Sequence, residues 1–404
     1  MAISRRALLG AAATTTALGM APARAGDRPL LRVGVLTDLS GTYHDATGQV
    51  SVECARQAVT DFNPAAHGFD VEVLAADHQN KPDVAASLVR QWFDQGVLAA
   101  IDVPTSSVAL AVAQIAREKD RAMLNASATS TALTDTQCSP NTVVWSFDTY
   151  MLAQSQGGAT VRAGGKKWFF ITADYAFGHI LEEQTADLVL KAGGEVKGRV
   201  RYPFPDTTDF SAYLQQAQAS GADVLGLANA GLDSATCVKQ AHEFGLNTTM
   251  RICPLLIFLP DIHALGSIAV GLNVTETFYW DLNDRTRRFT KRLAARVADK
   301  RPDQAQASSY GITLHWLKAV AAMGPEAAKS GRAVVARMKA MPTDDDAFGP
   351  GRIRADGRGE FPTYLFAVKP PSTPGGWDLY RLVSMTPAAQ AVHPLNPKCT
   401  FSTT

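Results

Sequence analysis

Short apolar, β-branched runs alternate along this chain with stretches whose apolar residues recur every three or four positions. Leu31-Arg32-Val33-Gly34-Val35-Leu36 is the first such run. After the turn Asp38-Leu39-Ser40-Gly41, residues Val50, Val52, Ala55, Ala58, Val59 and Phe62 fall on one helical face. The pattern then repeats, predicting strands at 71–75, 98–103 and 122–125 and helices at 84–92 and 108–115. From about Thr149 it starts afresh. Helices are predicted at 152–162, 180–190, 210–217 and 234–244, and strands at 167–172, 195–200, 224–228 and 250–253. Alternation of this kind signals parallel sheets covered by helices on both faces.

The last third departs from the pattern. Three helical stretches, 284–299, 308–323 and 333–341, have little strand between them and are too few for a domain of their own. They are best explained as the chain returning to finish the first half, with strands 363–368 and 377–382 finishing the second. The expected fold is α/β, with two doubly wound open-sheet lobes joined by a three-segment hinge. Residues 29–148 plus 276–349 form the first lobe and 149–275 plus 350–404 the second. The crossings fall near Thr149, Thr275 and Gly349. A hinge between two such lobes leaves a cleft that opens and closes.

Length agrees, since 404 residues suit two domains better than one core. The first 25 residues are set aside as a signal peptide. Arg5 and Arg6 precede an apolar, small-residue run, and Ala23-Arg24-Ala25 supplies a cleavage site. Ser4-Arg5-Arg6 followed by Leu8-Leu9 also fits a twin-arginine signal, which leaves the export route open. Cleavage after Ala25 removes three arginines and leaves 36 basic residues against 38 acidic. So balanced a chain has no electrostatic footprint for nucleic acid or for an anionic membrane surface. No later run reaches the ~18 apolar residues of a membrane span. An oxidising compartment permits disulfides among Cys54, Cys138, Cys237, Cys253 and Cys399, with at least one thiol left free; Cys237–Cys253 and then Cys138–Cys399 are candidate pairs, and the sequence leaves the connectivity open.

Motifs of catalysis are missing from the sequence. There is no GxGxxG after a strand, no GxxxxGK[ST], no GxSxG elbow, no HExxH and no CxxC. The expectation is therefore a protein that is not an enzyme, without catalytic residues, cofactor or metal.

The order and spacing of LRVGVLTDLSG, NASATSTALT, SQGGA, ITADYAFGHILEE, FYWD and SSYGITLHWLKA resemble the branched-chain amino-acid-binding family of type I periplasmic solute-binding proteins, which serve ABC transporters. The resemblance spans nearly all of residues 30–385. It implies two lobes, three crossings and ligand capture by closure.

Ligands of open α/β sheets sit beyond the carboxyl ends of the strands, at helix N-termini. Two turns of the first lobe answer to this, Pro104-Thr105-Ser106-Ser107 and Ser127-Ala128-Thr129. The resemblance implies that they hold a ligand carboxylate through backbone N–H groups and hydroxyls. Read without it, Ser106, Ser107, Ser127 and Thr129 are as well explained as helix caps. Many amino-acid-binding members carry an Asp two residues before Ser-Gln-Gly, to meet the ligand ammonium. Here Ala153 stands there, which favours a carboxylate on an aromatic or apolar body over an α-amino acid. A shift of register would bring Asp148 into that role. Tyr175, Phe177, Phe278 and Trp280 are candidate aromatic walls, with hinge or core packing as the alternative. Asn229 and Asp233 follow a strand and could reach a distal polar group, although Asp233 could equally cap a helix. Tyr43, in the first strand-to-helix loop, completes the set.

The expected function is that of an extracytoplasmic, periplasmic solute-binding subunit of an ABC importer. It would capture a small carboxylate, an aromatic acid or an amino-acid-like one, and act as a monomer that meets permease and ATPase subunits. A sensor of the same fold that regulates a partner, or an exported α/β hydrolase-type enzyme, is the alternative.

Overall fold

The computed structural model describes residues 28–397 and 399. The expected signal peptide at 1–25 lies outside them. The first lobe is built on five parallel strands, β1 (Leu30–Thr37), β2 (Asp70–Asp77), β3 (Ala99–Asp102), β4 (Ala122–Asn125) and β5 (Thr142–Val144), in the order β2-β1-β3-β4-β5. Alternating side chains fill two separate cores. Val33, Val35, Ile101 and Leu124 pack on one face under Trp316 and Val334, while Leu36, Ala100 and Met123 pack on the other under Val89, Val108 and Val112. Helix α1 (Gly48–Phe62) lies on the first face, and α2 (Pro82–Asp94) and α3 (Ser106–Glu118) on the second.

The second lobe repeats the plan. After a broken helix, α4 (Thr149–Leu152), a π turn over Ala153–Gly157 and α5 (Gly158–Arg162), come four parallel strands. These are β6 (Lys167–Ala173), β7 (Glu195–Tyr202), β8 (Val224–Ala228) and β9 (Arg251–Pro254), in the order β7-β6-β8-β9. They are covered by α6 (Ala176–Lys191), α7 (Ser211–Ala219) and α8 (Gly231–Glu243), with α9 (Leu259–Leu265) following β9. Strand β10 (Asn273–Glu276) leads back to the first lobe, where α10 (Asp284–Val297), α11 (Gln304–Met323) and α12 (Gly331–Ala340) complete the helical layer. The last third is thus a return to the first lobe. Ile312, Trp316 and Val320 of α11 are buried against β1 and β3, and Phe289 of α10 packs with Val50 of α1.

Two expectations need correction. The third crossing does not fall near Gly349. Strands β11 (Thr343–Asp345), β12 (Gly349–Ile353) and β13 (Gly359–Glu360) form a small antiparallel sheet, and Ile353 and Phe361 are buried in the first lobe's core. The chain crosses only afterwards, into β14 (Thr363–Val368) and β15 (Tyr380–Thr386), whose Phe366 and Tyr380 belong to the second lobe's core. The pair Cys237–Cys253 is absent. Cys237 of α8 lies in the core on one face of the second sheet, whereas Cys253 points into the core on the other, against Thr160. The period-two alternation of β9 separates them. Cys138–Cys399 does form a disulfide, and Cys54, Cys237 and Cys253 are free and buried.

That disulfide reveals a fourth passage between lobes. The chain leaves β15 in the second lobe, and its described residues from His393 to Cys399 return to the first. There His393 meets the Thr134 hydroxyl at 2.8 Å and its carbonyl accepts from Arg354 at 2.7 Å. The crossings are pinned by buried polar groups. Arg358, with no exposure, pairs with Asp148 at 2.7 Å and donates to the carbonyls of Trp145, Ser146 and Gly359. Gln304 holds the second crossing by bonds to Thr277 and Thr275.

Candidate functional site

Both strand orders change direction beside the first strand of each sheet, and both sheets turn their carboxyl ends toward the cleft between the lobes. That is where crevices form in doubly wound folds. A cavity lies there. Its first-lobe lining is Tyr43 and Thr47 after β1, Pro104, Thr105 and Ser106 after β3, and Ser127, Ala128 and Thr129 after β4. The second lobe adds Tyr175 and Phe177 after β6, Ala230 after β8, and Leu256 and Phe258 after β9. No lining residue carries a formal charge.

The polar groups of the first lobe are arranged as donors. Thr105, which would cap α3, has φ +73° and makes no side-chain cap; its hydroxyl is bonded to Asn80 instead. The N–H groups that open α3 are therefore left for the cavity, at the positive end of the helix dipole. Ser106 Oγ accepts from the Ser130 N–H at 3.2 Å, which leaves its own proton free to donate. The hydroxyl and backbone N–H of Thr129 have no protein partner among the described residues. Asp102 and Val103, just before this turn, also hold positive φ values of +76° and +57°. Non-glycine residues in that region mark stored strain of the sort that gathers at binding sites.

Aromatic rings close the other sides. Tyr43 OH and Tyr175 OH meet at 2.6 Å across the cleft, and Tyr175 is tilted against Phe177 with centroids 5.7 Å apart. Burial raises the phenol pKa of both tyrosines, so they stay neutral donors. Tyr43 is thus a buried contact between lobes. Around it the lobes touch again. The Thr42 hydroxyl donates to Asp233 at 2.9 Å, and the Leu232 N–H donates to the Thr42 carbonyl at 3.1 Å. Burial raises Asp233 to about 6, opposed by its hydrogen bonds from Tyr202 and Thr42.

Of the residues singled out by sequence, Ser106, Ser127, Ala128, Thr129, Tyr43, Tyr175 and Phe177 line this cavity. Others stand elsewhere. The Ser107 side chain is not in the lining. Asn229 is buried behind Ala230, donating to the Cys237 sulfur at 3.4 Å, and Asp233 serves the lobe contact just described. Phe278 lies in the first lobe among Val50, Phe289 and Phe348, and Trp280 donates to the Trp377 carbonyl at 3.0 Å under Arg301. For those two rings, hinge and core packing is what the structure displays. Ala153 is buried among Phe147, Met151 and Leu152, outside the cavity, and Asp148 is committed to Arg358. Sequence reading passed over Thr47, Leu256 and Phe258. The last two follow β9, where the rule that ligands sit beyond strand ends points to them.

Comparison with known proteins gives a consistent result. A model of the periplasmic binding protein family matches residues 31–375. The crystal structure of a periplasmic binding protein from Burkholderia mallei is 41% identical, with a TM-score of 0.86 over 92% of this chain and 98% of that one. A branched chain amino acid ABC transporter periplasmic ligand-binding protein from Burkholderia xenovorans LB400 is 34% identical, with a TM-score of 0.77 over 90% of this chain and 97% of that one. An ABC transporter solute binding protein from R. palustris in complex with benzoate is 22% identical, with a TM-score of 0.78 over 89% and 97% of the two chains, which is a likeness of fold. No curated protein matches.

Proposed function

The chain belongs to the periplasmic binding protein family, and from that premise we propose that it is the capture subunit of an ABC importer, specific for a small carboxylate with an apolar or aromatic body. One observation carries the ligand class. The cavity has no charged lining residue, yet it gathers the uncapped start of α3, the free Ser106 proton and the free Thr129 donors against a wall of Tyr175, Phe177, Leu256 and Phe258. Donors converging in a small apolar cavity suit an anion, and the absence of a lining carboxylate disfavours a separate ammonium subsite.

The mechanism is closure. The carboxylate docks on the first lobe at the turns after β3 and β4. The second lobe then brings Tyr175 and Phe177 over the ligand body, and the contacts of Tyr43 with Tyr175 and of Thr42 with Asp233 form as the lobes meet. Because these contacts and the ligand favour the same state, binding shifts the population toward closed. The closed form is what permease and ATPase subunits would receive from a monomeric periplasmic donor.

A thermal-shift screen of benzoates, phenyl-substituted acids and aliphatic amino acids tests this reading. A ligand present at a hundredfold excess over its dissociation constant adds about 2.7 kcal/mol of stability. Benzoate-like acids should raise the melting temperature, and X-ray scattering should record compaction. Leucine alone shifting the melt would refute the ligand class, and no compaction with any binder would refute closure.

A further inference from the structure

Directly behind the cavity wall, at the end of β3, stands Asp102, a carboxylate with no exposure. Its Oδ1 is hydrogen-bonded to the hydroxyl of Ser127, which lines the cavity. Its Oδ2 has no hydrogen-bond partner among the described residues. A serine hydroxyl has a single proton and an ionised carboxylate can only accept, so the direction of this bond is fixed: Ser127 donates to Asp102. The serine oxygen is then left with lone pairs alone toward the cavity. Ser106 has the opposite polarity, because its oxygen already accepts from the Ser130 N–H and its proton is free.

We propose that Asp102 is a specificity-determining positioning residue, which makes Ser127 an acceptor so that the site selects carboxylates that also carry a hydroxyl donor. This rests on the carboxylate reading given above and narrows it. A bare acid would leave the Ser127 lone pairs facing an apolar or acceptor group, and a buried acceptor without a donor weakens binding. The acid that does bind places its carboxylate on Ser106 and Thr129 and a donor on Ser127. Hydroxy-acids with an aromatic or apolar body meet that description.

The pair also predicts a pH dependence. Burial raises Asp102 to about 6, opposed by the hydroxyls of Ser127, Thr37, Ser51 and Ser309 around it. The titratable groups facing it are Cys54 of α1 and Asp303 at the start of α11, and burial raises both well above their ordinary values. Below about 6, Asp102 gains a proton and can itself donate to Ser127. The Ser127 proton is then released to the cavity, and the demand for a ligand donor relaxes.

Calorimetry on the wild type, Ser127→Ala and Asp102→Asn tests this, with four sets of acids: benzoate and its three hydroxybenzoates, phenylacetate and mandelate, 3-phenylpropionate and 3-phenyllactate, 4-methylpentanoate and 2-hydroxy-4-methylpentanoate. At pH 7.5 the donor-bearing member of at least one set should bind the wild type about tenfold tighter or more, the scale set by one unpaired buried acceptor. That ratio should fall to about twofold in both variants, and it should shrink in the wild type, but not in Ser127→Ala, at pH 5. A purely structural role for Asp102 would lower all affinities and leave the ratio unmoved, which overturns the proposal. Equal binding of bare and donor-bearing acids by the wild type overturns it too, with the carboxylate reading intact. If no acid of any set binds, both readings fall together.

Discussion

Thr129 offers a hydroxyl and an N–H that no group among the described residues uses, and the value of such donors lies in what they can satisfy. Thr129→Val keeps the shape and removes the hydroxyl. It should weaken a carboxylate ligand by about 1.5–3 kcal/mol, the range for a hydrogen bond to a charged group. Unchanged affinity by calorimetry would remove Thr129 from the site. Gly231 is decided by backbone. Its φ is +61°, and an added Cβ would stand 2.6 Å from the Thr42 carbonyl of the other lobe. Gly231→Ala should therefore oppose closure and lower affinity at least tenfold, a difference of about 1.4 kcal/mol, with reduced compaction in scattering. Asp102 bears on stability as well. A carboxyl whose pKa rises from 3.8 unfolded to about 6 folded gives a destabilisation that is absent below pH 3.8 and complete above about 6. Asp102→Asn should raise the melting temperature at pH 7.5, by an amount worth up to about 3 kcal/mol, and flatten its decline between pH 4 and 6 in scanning calorimetry. An identical profile in the variant would show that Asp102 does not titrate there.

At the scale of elements, the site depends on helices whose ends are left unfinished or finished with care. Asp303 caps α11 through the Ala305 and Gln306 N–H groups, and Asn283 caps α10 in the same way, so both are closed to ligands. The α3 start has no side-chain cap and lines the cavity, as do the starts of α1, α6 and α8. The crossings need the reverse treatment. At the first crossing, Arg358 donates to the carbonyls of Trp145, Ser146 and Gly359 and forms the ion pair with Asp148. Arg358→Leu would leave Asp148 buried and unpaired. It should destabilise the fold by about 3–5 kcal/mol in urea unfolding. A change below about 1 kcal/mol would mean that water replaces the guanidinium.

For the whole molecule, the disulfide matters through connectivity. Cys138 and Cys399 are 261 residues apart, and together they fasten the end of the chain, arriving from the second lobe, to the first. Closing so long a loop restrains the unfolded chain, and its removal through Cys138→Ser should lower stability by about 2–4 kcal/mol. Because the tail is a fourth passage, the variant should also open further without ligand, seen as a larger radius of gyration. Equal radii for the two proteins would confine the bridge to a stabilising role.

The alternation of strand and helix was legible throughout, because a buried parallel strand and a one-sided helix leave different periods in the chain. Strands Ala122–Asn125, Val224–Ala228 and Thr363–Val368 fall where the pattern puts them, and so does the return of α10 to α12 to the first lobe. The turns Pro104-Thr105-Ser106 and Ser127-Ala128-Thr129 were legible for the same reason, as the ends of short apolar runs. Other matters depend on contacts between residues far apart in sequence. The backbone alone gives Cys237 and Cys253 opposite sides of one sheet, holds 350–361 to the first lobe, and encloses Phe278 and Trp280 away from the cleft. Whether Ser127 gives or takes a hydrogen bond is likewise settled by Asp102, which is 25 residues distant in the chain and adjacent only once β3 and β4 pair. Periodicity records what each segment buries, but not which partner it is buried against.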